Sequence, residues 1–225
     1  MADPKKEFEP NHFFYALIKV ALYSLYRTFF RFKHEGSGKV PPASDGRGVI
    51  LAPNHTSYLD PPILGISLPR RVTYLAKEYL FRAFIVGWVL RMIGALPIKA
   101  GAKDRDLKSI RDLLRILADG RCVVVFPEGT RSVDGELKEP ESGIGFLALK
   151  AKSWVVPVYI EGTFKAFPKG AKFFKCSPVS VSYGEAFIPA ESAEFTQAAD
   201  PYMAVSRRIM ADIKKLKDAR IQARK

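Results

Sequence analysis

The chain is poor in cysteine. Its two, Cys122 and Cys176, stand in no metal-ligand spacing and are too few for the disulfide framework of a small secreted domain. Cys122 opens an apolar run and reads as a buried free thiol, which fits a reducing compartment. Acid is scarce as well: 23 Asp and Glu stand against 36 Lys and Arg, a formal charge of +13. Such an excess calls for a polyanionic partner, and nucleic acid, anionic lipid and phosphorylated substrates all qualify. Nucleic acid is the weakest of the three. No zinc spacing, recognition motif or aromatic RNA-binding signature appears, although Phe and Lys interleave over residues 164–175. The first dozen residues are charged and lack a cleavage-type pattern, so no secretory signal is read there. What remains is an ordinary globular balance, 48% hydrophobic and 26% charged, on a length that suits one domain with or without an appendage.

Long uninterrupted apolar runs are also missing. Residues 13–32 come nearest, but Lys19, Arg27 and Arg31 break them. A spanning helix would place those charges in hydrocarbon at roughly 2.5–3.5 kcal/mol each near its centre. At about 100° per residue, Phe14, Ile18, Ala21, Leu22, Leu25, Tyr26, Phe29 and Phe32 share one side, and Lys19, Ser24, Arg27, Thr28 and Arg31 the other. This predicts an amphipathic helix lying in a membrane interface, with its cations toward anionic head groups. Packing of the same face against the domain is the competing reading. A second apolar stretch, residues 79–98, holds Arg82, Arg91, Gly87 and Gly94, which argue for a helix partly in the core and partly at the membrane.

Residues 33–48, rich in Gly, Pro, Ser and charge, read as a linker. The organisation expected is a membrane-associating segment over 1–33, a linker over 34–48 and one domain over 49–225. Within that domain, residues 49–52, 72–76, 95–98, 122–126, 155–160 and 179–183 read as strands. Helical patterns lie between them at 59–67, 78–93, 104–118 and 144–151, and a basic helix closes the chain from 203. Strands alternating with helices predict an α/β fold, a central, largely parallel or mixed sheet flanked by helices.

Chemistry concentrates in two places. Asn54-His55-Thr56-Ser57-Tyr58-Leu59-Asp60 follows the first strand, with four residues between the histidine and the carboxylate. On a helix those two would lie about 140° apart. Pro53 before them and Pro61-Pro62 after favour a strand-to-helix turn, where the pair folds back. An Asp that accepts from one ring nitrogen leaves the other free as a base. No Gly-x-Ser-x-Gly elbow supplies a nucleophile. Thr56 and Ser57 read as turn or capping residues, so the base would act on a substrate hydroxyl. The second cluster, Phe126-Pro127-Glu128-Gly129-Thr130-Arg131-Ser132, follows another strand. Gly129 allows close backbone approach, Thr130 offers a hydroxyl, and Arg131 can grip a phosphate through two parallel bonds. Loops leaving neighbouring strands at one sheet edge could present both clusters together.

Taken together the clusters resemble the signatures of the glycerolipid acyltransferase family. His55 to Asp60 is similar to its His-x4-Asp block, and Phe126 to Ser132 to its third block. Val156-Pro157-Val158 with Gly162-Thr163 is similar to its fourth. The resemblance covers roughly residues 49–163. It implies His55 as general base oriented by Asp60, with Glu128, Gly129, Thr130 and Arg131 binding the acceptor. It implies an acyl-CoA or acyl-carrier-protein co-substrate, no further cofactor and no metal. The acceptor would be 1-acylglycerol-3-phosphate (lysophosphatidic acid), and the setting the cytoplasmic face of an anionic phospholipid membrane. One block departs. Where the family's second motif commonly carries an arginine, this chain has Ala100, with Lys99 beside it as a weaker cationic candidate. Another lyso-lipid acceptor therefore stays open, as does a catalytically silent membrane-binding protein on the same scaffold.

Overall fold

The computed structural model describes residues 12–98 and 103–223. One mixed sheet organises the chain. In spatial order it runs β1 (Lys33–Glu35), β8 (Ser180–Tyr183), β7 (Trp154–Glu161), β2 (Val49–Pro53), β6 (Cys122–Val124) and β3 (Val72–Thr73). Every neighbouring pair is parallel except β7 with β8. A two-stranded parallel sheet, β4 (Leu75–Lys77) with β5 (Leu96–Ile98), stands beside it.

Strand β2 explains the architecture. All five of its residues are buried, as expected of a central parallel strand covered on both faces. Val49 and Leu51 face one apolar cluster, Ile50 and Ala52 the other. The first face is closed by α1 (His12–Phe30) and α2 (Asp60–Ser67). The second is closed by α4 (Lys103–Ala118), α5 (Gly143–Ala151) and the long C-terminal α8 (Pro201–Gln222). Leu113, Ile116 and Leu117 of α4 and Val205, Ile209 and Ile213 of α8 repeat at three and four residues, which keeps them on one stripe. The remaining helices, α3 (Phe84–Met92), α6 (Thr163–Ala166) and α7 (Ala193–Thr196), are short.

The N-terminal helix differs from its expected placement. Tyr26, Phe30 and the following Phe32 are only 1–2% exposed and sit in the core, with Leu22 packed against them. Phe32 is therefore not available to a bilayer. Lys19, expected to face head groups, donates instead to the Leu68 carbonyl at the C-terminal end of α2. A cation there complements the partial negative charge of the helix terminus. Burial lowers its pKa. The opposite side of α1 is bare: Phe13, Leu17 and Val20 are each more than half exposed. Removing three buried aromatics at about 3–5 kcal/mol each would exhaust a stability of about 5–15 kcal/mol. The helix is thus a structural part of the domain that also carries an outward apolar face. Residues 33–48 are likewise not a plain linker, because Lys33–Glu35 adds an edge strand, paired with β8. Among the described residues no helix is long and apolar enough to cross a membrane.

Candidate active site

Strands β2 and β6 are parallel neighbours, so the chain leaves their carboxyl ends at one edge of the sheet. After β2 the backbone turns away from β7, and the Asn54 side chain takes over the ladder. It accepts from the Ile160 N–H at 2.7 Å and donates to the Ile160 carbonyl at 3.0 Å. This fixes the position from which His55 departs.

Asp60 is the first residue of α2 and is fully buried. Pro61 and Pro62 follow in the first turn, where helical residues have no intrahelical use for an N–H. One carboxylate oxygen, Oδ2, collects three groups: His55 Nδ1 at 2.8 Å and the Thr56 and Ser57 N–H groups at 2.7 Å each. With the carboxylate as acceptor, Nδ1 is the donor of this bond, and in the neutral ring that tautomer leaves the Nε2 lone pair free. The imidazole lies flat on Phe126, 3.7 Å between centroids and 18° from parallel. Its side chain is 16% exposed. The ring is held by a charge on one edge and an aromatic face on one side.

The loop after β6 is bonded directly to this turn. Ser132 N–H donates to the His55 carbonyl at 2.7 Å, and His55 N–H donates to Glu128 Oε1 at 2.9 Å. Glu128, expected to bind the acceptor, is therefore turned inward, only 4% exposed. The reason is that the buried His55 amide needs an acceptor once the strand has ended. Burial raises the Glu128 pKa, partly offset by the bond from His55 N–H. Gly129 and Thr130 form the exposed tip. Gly129 has φ of 66°, and a Cβ there would also press on Glu141, so glycine is required. Thr130 Oγ1 accepts from Lys138 Nζ at 3.2 Å.

Arg131 is the unfinished residue. Its guanidinium lies 3.6 Å over the Tyr58 ring, a cation–π stack that holds the plane. Its Nη1 is buried and has no hydrogen-bond partner among the described residues. A buried guanidinium nitrogen left unpaired costs free energy, which an anion placed against it would recover. Lys99 lies outside the described residues, and so does Ala100.

Sequence reasoning passed over Tyr58, Phe126 and Asn54. The signal for Tyr58 was slight: an aromatic inside the first motif, exposed to 49%, whose partner Arg131 lies 73 residues on. The fourth block also reaches the site. Gly162 ends β7 with φ of 88°, where a Cβ would strike the Pro178 carbonyl, and Thr163 Oγ1 then meets Thr56 Oγ1 at 3.0 Å. From the other side, Tyr26 of α1 donates its hydroxyl to the Leu59 carbonyl at 2.9 Å.

The chain is similar to known proteins along most of its length. The sequence profile of the acyltransferase family matches residues 31–161. A chloroplast 1-acyl-sn-glycerol-3-phosphate acyltransferase of Arabidopsis thaliana is 33% identical over 144 residues, which make up 64% of this chain and 40% of that protein. The 1-acyl-sn-glycerol-3-phosphate acyltransferase of Bacillus subtilis is 31% identical over 150 residues, 66% of this chain and 69% of its own length. The chain thus spans less than half of the plant protein. The crystal structure of the 1-acyl-sn-glycerophosphate acyltransferase of Thermotoga maritima has the same fold, with a TM-score of 0.72 at 24% identity, covering 96% of this chain and 82% of that one. The chain belongs to the acyltransferase family.

Proposed function

We propose that the chain transfers a fatty acyl group from a thioester, acyl-CoA or acyl-carrier protein, to the sn-2 hydroxyl of 1-acylglycerol-3-phosphate, giving phosphatidic acid. The observation that carries this reading is the placement of a prearranged His55–Asp60 pair beside the unpartnered Nη1 of Arg131. Lysophosphatidic acid supplies what each lacks, a hydroxyl for the base and a phosphate dianion for the guanidinium. Relatives named for that acceptor support the choice.

In this mechanism His55 Nε2 takes the proton of the sn-2 hydroxyl as its oxygen attacks the thioester carbonyl. Asp60 stabilises the imidazolium that forms. The tetrahedral intermediate collapses, the C–S bond breaks, and the imidazolium returns its proton to the departing thiolate. The ester is formed with no acyl-enzyme, and the base is restored. Arg131, kept flat by Tyr58, holds the acceptor phosphate, while Glu128 acts on the His55 main chain rather than on substrate.

Both acceptor and product are membrane lipids, and drawing one into water costs about 0.8 kcal/mol per CH₂. The outward side of α1, with Phe13, Leu17 and Val20, therefore rests in the acyl boundary of a bilayer at its cytoplasmic face. The test is acyl transfer by the purified full chain from labelled acyl-CoA or acyl-carrier protein to lysophosphatidic acid, with lysophosphatidylcholine as the competing acceptor. The proposal expects labelled phosphatidic acid and much slower use of the choline lipid. A preference for lysophosphatidylcholine would move the acceptor assignment, and no transfer from either donor would leave the scaffold without this chemistry.

A further inference from the structure

The segment between α6 and β8 carries chemistry that the transfer reaction does not use. Phe173 is 84% exposed and Phe174 55%. Lys165, Lys169, Lys172 and Lys175 lie in the same segment, all exposed. Such aromatics are rarely left bare on a water-facing loop, and four cations beside them rule out a core-like protein partner.

This segment is not loosely attached. Ser57 Oγ of the catalytic turn donates to the Phe167 carbonyl at 2.6 Å, and Ser57 forms a β-bridge with Pro168. Lys175 N–H donates to the Ala166 carbonyl at 2.7 Å, closing the loop at its base. Next to that closure, the Phe174 ring makes edge contacts with Phe29 and Phe30 at the end of α1, with centroids 6.3 and 5.9 Å apart. At the other end of the same helix, Phe14 meets Trp88 at 6.5 Å. Phe14 and Phe29 are about 22 Å apart along the axis at 1.5 Å per residue. The Phe/Lys loop thus meets α1 at its C-terminal end through the half-exposed Phe29 and the core-facing Phe30, beside the outward Phe13, Leu17 and Val20 side rather than on it.

We propose that residues 165–175 are a membrane contact in their own right, selective for an anionic bilayer. Phe173 and Phe174 enter the acyl boundary and the lysines pair with lipid phosphates. This rests on the membrane-bound reading of the site and deepens it. A lone helix on a surface can roll about its axis. A second contact beside it stops the roll, and because that contact is bonded to Ser57, it sets how His55 faces the lipid layer. Charge selects the occupant: the lysines favour anionic head groups, and interleaved aromatics suit the boundary between head group and chain.

The chain supplies its own reporter. Cys176 is exposed, whereas Cys122 is buried and its thiol is pushed up to about 12, so a polarity-sensitive maleimide dye labels Cys176. With phosphatidylcholine vesicles containing phosphatidylglycerol, the dye on the full chain should shift to the blue as the protein binds. Phe173→Ser should weaken vesicle binding about tenfold. The double variant Lys169→Glu, Lys172→Glu should weaken it at least about 25-fold, at roughly fivefold per lysine, on anionic vesicles alone. Both variants should retain turnover with a short-chain, monomeric acceptor. The proposal is overturned if the dye stays in a water-like environment while the protein co-sediments with vesicles, or if both variants bind like the parent. A parent chain that binds vesicles with the dye shift but transfers no acyl group to the soluble acceptor would instead strike the reaction proposed above.

Discussion

The turn that carries His55 and the loop that carries Arg131 leave neighbouring strands at one sheet edge, yet they are finished differently. In the turn the groups that fix the ring are bonded within the protein: Asp60 Oδ2 holds the ring and two amides, and Asn54 closes the ladder to β7, while the buried Asp60 Oδ1 has no hydrogen-bond partner among the described residues. In the loop, Arg131 ends on an aromatic face with a buried, unpaired nitrogen. In the first region the orientation of the His55 ring is set without substrate, as a base requires if that orientation is to cost nothing during reaction. The second leaves a cationic nitrogen without a partner among the described residues. On the proposed reaction the turn is the catalytic unit and the loop the binding unit, and substitutions in the two should therefore act on different kinetic constants.

The largest effect belongs to the turn. His55→Ala should lower kcat about 10²–10⁴-fold with little change in acceptor KM. An unaltered near-ultraviolet circular dichroism spectrum would show that the fold is kept. Asp60→Asn should come next, at about 10²-fold or more in kcat. The amide oxygen can serve Thr56 and Ser57, but it then offers the ring no charge. If either variant changed KM alone, the separation between the two regions would fail.

Smaller effects sharpen the comparison from the loop side. Tyr58→Leu removes the platform under Arg131 and should raise acceptor KM about threefold to tenfold, from the loss of a cation–π contact. Donor KM should stay within twofold. Glu128→Gln tests the inward carboxylate through stability. Burial raises the Glu128 pKa, so its folded-state contribution is full at low pH and is lost as pH rises through that raised value. The glutamine variant, which still accepts from His55 N–H, should gain on the parent by a few degrees in Tm between pH 4 and pH 7. A constant Tm difference across that window would mean that Glu128 is solvated rather than buried.

Much of this site was legible because its parts are contiguous in sequence. His55, Asp60 and the prolines around them specify a strand-to-helix turn, and the turn was found. Side-chain direction in a loop is another matter. Nothing in Phe126-Pro127-Glu128-Gly129 says that the carboxylate bends inward to meet an amide 73 residues away. The helix α1 misled for a different reason: it is apolar on both sides. Leu22, Tyr26 and Phe30 face the core, and Phe13, Leu17 and Val20 face out. A single 3.6-residue stripe cannot describe two such faces, and it places Lys19 on the wrong one. Strand β1, Lys33-His34-Glu35, has no apolar residue to announce it and exists through its pairing with β8.

The pairing of Arg131 with the acceptor phosphate is tested most directly by a cycle that crosses protein and substrate. Parent and Arg131→Ala proteins are each assayed with lysophosphatidic acid and with the corresponding monoacylglycerol, which lacks the phosphate. The parent should prefer the phosphorylated acceptor in kcat/KM, and Arg131→Ala should lose about 10- to 100-fold of that preference while handling monoacylglycerol as the parent does. Equal losses on both acceptors would show that Arg131 supports the loop and does not grip phosphate.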